Sequence, residues 1–127
     1  MSKARRVPKP TEAELNLLRI IWSLGPSTVK RVHEATLHER PDVTYATVLR
    51  LMQIMHTKGL LSRDDSQRSH VYAAAHEQEL LRTGLLKDLI NKAFSGSGKE
   101  LVMAALRGHV TPKEREEILR ILRKGEP

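Results

Sequence analysis

Apolar residues recur along this 127-residue chain with two different periods, and the changes of period mark its elements. From Thr11 the spacing is helical. Leu15, Leu18, Ile21 and Trp22 form one face, and "TEAE" reads as a capping box in which Glu14 reaches back to Thr11. Leu24-Gly25-Pro26 ends that helix. A second follows a Ser27 cap, with Val29, Val32, Ala35 and Leu37 turned inward, and Pro41-Asp42 breaks it. The stretch "DVTYATVLRLMQIMHTKG" (42–59) predicts a third helix. Thr44 is its N-cap, Val48, Leu51, Met52 and Met55 recur at helical spacing, and Gly59 fits a left-handed C-cap. After Gly59 the period shortens. Two apolar-edged runs, 60–63 and 70–74, flank a polar tip at 64–69, which is a β-hairpin pattern.

Helical spacing returns near His76. Leu81, Leu85 and Leu89 form one row, and Leu86, Ile90 and Phe94 another; so wide an apolar arc suits a helix with more than one neighbour. "SGSG" (95–98) punctuates the chain, and the short apolar helix "KELVMAAL", carrying Leu101, ends at Gly108. The last helix opens with "TPKE": Thr111 caps, Pro112 takes the first helical position and Glu114 closes the box. Ile118, Ile121 and Leu122 line its inner face. Three helices, a hairpin and three more helices make a mainly α protein whose first four elements have the layout of a winged helix-turn-helix. The expected organisation is a flexible basic arm (1–10), a winged-helix DNA-binding domain (11–75) and a helical region (76–127). That last region holds more apolar residues than three short helices can hide, which predicts dimerisation.

Composition narrows the function. The net charge is +7, and it is uneven: residues 1–75 hold 12 Lys/Arg against 7 Asp/Glu, a net of +5, while the rest hold 10 against 8, a net of +2. A polyanion would therefore meet the N-terminal part, through release of counterions from phosphates; positive charge that only aids solubility is the plainer alternative. The absence of cysteine excludes disulfides and thiolate metal sites and fits a reducing cytoplasm. No uncharged apolar run is long enough to span a bilayer, and "MSKARRVPKP" lacks the apolar stretch of a signal peptide, so a cytoplasmic location is expected. His33 and His38 are five apart, off a common helix face, and no carboxylate spacing completes a metal site. Neither a cofactor nor a small-molecule substrate is expected. No cysteine nucleophile, glycine-rich phosphate loop or nucleophile elbow is present, and the paired acids Glu116-Glu117 are explained by bonding to Arg120 along a helix face. An enzyme is not expected.

Three stretches carry a resemblance. "TEAELNLLRIIWSLGPSTVKRVHEATL", "TYATVLRLMQIMHTKGLLSRDDSQRSHVYAA" and "TPKEREEILRIL" are similar to the BlaI/MecI penicillinase-repressor family of bacterial transcriptional regulators, over nearly the whole chain from Thr11 to Leu122. The resemblance implies a homodimer with N-terminal winged helices on a palindromic operator and a C-terminal helical dimerisation region. It also implies a membrane-bound sensor protease as a partner. Two departures limit it. Family members that sense copper carry C-terminal cysteine motifs, and this chain has none. Where proteolysed members have a scissile Asn-Phe pair, this chain has Ala104-Ala105, so cleavage at that bond is not carried over.

If the third helix enters a major groove, its N-terminal residues and the face away from the core meet DNA. These are Thr44, Tyr45, Ala46, Thr47, Arg50 and Gln53. Thr44 and Thr47 hydroxyls suit phosphates, Ala46 and the Thr47 methyl suit a thymine methyl, Gln53 suits adenine, and Arg50 suits guanine or phosphate. Capping alone is the plainer account of Thr44, which is expected to do both jobs, and solvated surface is the alternative for Arg50 and Gln53. At the hairpin tip Arg63, Arg68 and His70 are the candidate wing contacts, with local ion pairs to Asp64 and Asp65 as the alternative. Lys3, Arg5 and Arg6 add sequence-blind attraction, or are a disordered start. For dimerisation the candidates are Leu81, Leu85, Leu86, Leu89, Ile90, Phe94, Leu101, Ile118, Ile121 and Leu122. The expected function is transcriptional repression by a homodimer on a palindromic promoter operator in double-stranded DNA, released when the dimer is disrupted, for instance by proteolysis of the C-terminal region. The alternative is a winged-helix interaction module whose basic face binds an acidic partner protein.

Overall fold

The computed structural model describes residues 7–125. The arm residues Lys3, Arg5 and Arg6 lie outside them. The elements run α1 (Glu12–Leu24), α2 (Val29–Thr36), α3 (Tyr45–Lys58), β1 (Leu61–Asp64), β2 (Val71–Ala74), α4 (Gln78–Ala93), α5 (Gly98–Gly108) and α6 (Pro112–Lys124). This is a mainly helical, winged-helix chain. Its contacts divide it into two compact units, Met1–Gly84 and Leu85–Pro127.

In the first unit the local signals explain the helix limits. The capping box of α1 is complete: the Glu14 amide donates to Thr11 Oγ1 at 3.2 Å, and Glu14 Oε1 accepts from the Thr11 amide at 2.9 Å. Thr44 caps α3 and Gly59 ends it at φ 87°, a left-handed geometry that costs glycine nothing. The strands pair antiparallel with Leu61 opposite Ala74 and Asp64 opposite Val71. The core is a mix of Leu17, Leu18 and Ile21 from α1, Val29 and Val32 from α2, Val48, Met52 and Met55 from α3, and Leu60, Leu61 and Tyr72 around the hairpin.

Three expectations are corrected here. Ser27 does not cap α2; Thr28 does, accepting from the Arg31 amide at 3.2 Å. Ser27 instead forms a β-bridge with Tyr72, each amide donating to the other's carbonyl at 2.8 Å, so it extends the hairpin sheet. On α1 the buried face is turned from the expected row: Leu17 is buried and Leu15 only half-buried, while Glu14 is buried with its carboxylate accepting from Lys58 Nζ at 2.7 Å. Burial pushes the Glu14 carboxyl up. The hydrogen bonds from Lys58 and the Thr11 amide outweigh that and hold it below its ordinary value. Finally, Leu81, expected at a dimer surface, is already only 2% exposed within the chain. The segment leading to it is fixed to α1 by Trp22 Nε1, which donates to the His76 carbonyl at 3.1 Å.

The second unit holds the rest of α4, then α5 and α6. A turn through Ser95 (φ 52°) and Gly96 (φ 84°) lets the Gly96 amide reach the Ile90 carbonyl at 2.9 Å. The box at Thr111 and Glu114 starts α6, and Arg115 donates to the Leu106 carbonyl at 3.2 Å. No residue of α5 or α6 is buried. Leu86, Leu89, Val102, Met103, Leu119 and Ile121 are all exposed, and Leu122 is 69% exposed.

Candidate nucleic-acid interface

The third helix carries the geometry of a reading element. Its buried row is Val48, Met52 and Met55, and helical spacing puts Ala46, Arg50 and Gln53 on the opposite side, where all three are exposed. Thr57 continues that outer face; the sequence pattern did not single it out, and its hydroxyl donates back to the Gln53 carbonyl at 3.1 Å. At the start of the helix Thr44 Oγ1 accepts from the Thr47 amide at 3.1 Å and donates to Thr47 Oγ1 at 2.9 Å. Two exposed hydroxyls therefore sit side by side at a helix N-terminus, where the free amides favour an anion. Tyr45, 47% exposed, stands edge-on to His33 with ring centroids 5.8 Å apart, and His33 Nε2 is 3.0 Å from the Val43 carbonyl. That contact links α2 to the segment that launches α3.

A groove of about 320 Å³ runs between α3, the start of α2 and the hairpin. Tyr45, Leu49 and Gln53 form one wall, Thr28 and Lys30 another, and Arg68, Ser69 and His70 the wing side. The fold thus brings together α3 and wing residues that the sequence offered separately. It adds Thr28, Lys30 and Ser69, whose place is set by packing of α2 against α3 rather than by any local motif. The wing arginines divide. Arg63 is tied into the hairpin: its Nε lies 2.7 Å from Asp65 Oδ1, and the Tyr72 hydroxyl, then Asp65, hold its pKa above the ordinary value. Arg68 lines the groove. His70, which also lines it, has Nδ1 3.5 Å from Asp65 Oδ1. The tip itself is shaped by Asp64, which accepts from the Ser66 amide at 2.9 Å; the Ser66 hydroxyl, and then this amide, lower the Asp64 pKa.

Among the described residues, no group of three or more His, Cys, Asp or Glu is placed to hold a metal ion, and no helix is long and apolar enough to cross a membrane.

Residues 10–124 match the penicillinase repressor family. The chain belongs to that family. Two curated relatives are each named transcriptional regulator BlaI, from the CDC 1551/Oshkosh and ATCC 25618/H37Rv strains of Mycobacterium tuberculosis. Each is 31% identical over 103 residues, which cover 80% of this chain and 74% of the relative. The protein is a transcriptional regulator of the penicillinase-repressor type, and the family is one of repressors rather than enzymes.

Proposed function

We propose that the protein represses transcription as a cytoplasmic homodimer that lays α3 in the major groove of a palindromic promoter operator. The observation that carries this reading is the shared groove. Arg50 and Gln53 on the outer face of α3 offer the donors and acceptors that read base edges. Of these, Gln53 lines the groove together with Lys30 and Arg68, which suit phosphates, while Arg50 and the Thr44–Thr47 hydroxyl pair lie outside its lining, exposed on the same helix. The net charge of +5 over residues 1–75 favours the same partner.

Dimerisation is supported by the second unit. Two amphipathic helices without a single buried residue leave apolar faces that a second copy would cover. Two linked half-site readers bind a palindrome with an avidity that one lacks, so disruption of the dimer releases the operator. Ala104 and Ala105, half-buried in α5, take the place of the resemblance's scissile pair, so the family's Asn-Phe cleavage is not carried over to that bond.

Gel shifts against promoter fragments at near-physiological salt, together with sedimentation at micromolar concentration, test the proposal. Operator preference and a dimer are expected. A stable monomer counts against the dimer. Binding without preference among fragments favours instead a module for an acidic protein partner.

A further inference from the structure

The α1–α3 seam is looser than those α3 makes with α2 and β1. A partly enclosed cavity of about 140 Å³ opens there. Leu17 and Ile20 of α1 face Val48 and Leu51 of α3 across it, and Val43 closes one end. Ala13, Asn16 and Thr36 complete a lining that is mostly apolar, and an apolar cavity of about this volume admits a benzene-sized ring. Its mouth is polar. Thr47, in the first turn of α3, forms part of the rim with Arg40 and Glu39. Glu39 also borders a neighbouring hollow that contains Arg19. The guanidinium of Arg40 has no hydrogen-bond or ion-pair partner among the described residues, while that of Arg19 donates to Asn16. A free guanidinium beside an apolar slot matches a planar carboxylate joined to a single ring.

We infer that the α1–α3 cavity binds small aromatic carboxylates, and that occupancy weakens DNA binding. The ring lodges among Leu17, Ile20, Val48 and Leu51, and the carboxylate meets Arg40. Because one wall is α3 itself, an occupant wedges its first turn, where Thr44, Tyr45 and Thr47 stand. The effect on DNA rests on the operator-binding reading above; the site does not.

Benzoate is the probe, added to the full chain and followed by amide chemical shifts. Saturable shifts are expected at Leu17, Ile20, Thr47 and Leu51, with half-saturation at about 1 mM or below. Arg40→Gln, on the exposed rim, should weaken benzoate about fivefold while leaving benzyl alcohol unchanged. Leu51→Phe, which fills the slot, should abolish both. Saturating benzoate should lower the affinity of the wild type for its operator severalfold and leave Leu51→Phe unaffected. The inference is overturned if folded Leu51→Phe binds benzoate as the wild type does, if benzylamine binds as tightly as benzoate, or if saturation leaves operator affinity unmoved. A ligand-free protein that binds no operator at all would sink the repressor reading instead, and the shift data would still decide the site.

Discussion

Replacing Thr44 with alanine removes one oxygen that serves the start of α3. The Thr47 amide then loses the acceptor 3.1 Å away, and the Thr47 hydroxyl loses its partner at 2.9 Å. Both groups are exposed, so water takes over part of what is lost and the cost is that of an ordinary N-cap, about 1 kcal/mol. For a cooperative unit of this size that corresponds to a fall in Tm of about 4–8 °C. Thermal unfolding by circular dichroism without DNA reads the cap alone. Thr44→Ser should return most of the loss, since its hydroxyl occupies the same place. Thr57→Ala is the matched control. Its hydroxyl only returns to the carbonyl of Gln53 within the helix, so stability should stay within about 0.5 kcal/mol of wild type. A Thr44→Ala protein that melts with the wild type, or a Thr57→Ala protein that falls as far, would refute the claim that this cap fixes the first turn of α3.

Arg50→Ala and Gln53→Ala should each cost about 1–3 kcal/mol of operator binding and relax sequence preference, read by fluorescence anisotropy on operator variants. Lys30→Ala should weaken all DNA sequences alike and reduce the slope of log affinity against log salt by about one. The Glu14 carboxyl has a lowered folded pKa, so its contribution to stability is complete above its ordinary value of 4.5 and is lost as pH falls through the folded one. Urea midpoints taken from pH 7 down to pH 3 should show this slope in the wild type but not in Glu14→Gln. That variant should also be about 1–3 kcal/mol less stable at pH 7. Met52→Ala, at a site with no exposure, should cost about 2–5 kcal/mol in the same assay.

The helix limits were legible because caps are local. Thr11 with Glu14, Thr111 with Glu114, and Thr44 with Gly59 each declare themselves within a few residues. The hairpin was legible from the change of period alone. What escaped is long-range or polar. Ser27 reads as a cap because serine is a good one, and its pairing with Tyr72 leaves no trace near either residue. Periodicity counts a glutamate as solvated, so the turn of α1 that buries Glu14 against Lys58 was hidden, and Leu15 was chosen over Leu17. Thr36 was hidden the same way; its burial depends on the 2.7 Å bond that it donates to the Val32 carbonyl. At the site, the outer face of α3 follows from one helix, but Lys30 and Ser69 enter only when three elements converge. Leu81 stood in a plausible leucine row that one chain alone partly buries.

Selection of binding sequences from a random double-stranded DNA pool tests the central claim most directly, with the wild type and Arg50→Ala run side by side. The wild type should enrich a palindrome whose half-sites lie on one face of the duplex, about one helical turn or a multiple apart, and Arg50→Ala should lose preference at a defined position in each half. Failure of the wild type to enrich any sequence, or an identical motif from both proteins, would contradict the assignment of α3 as the element that reads DNA.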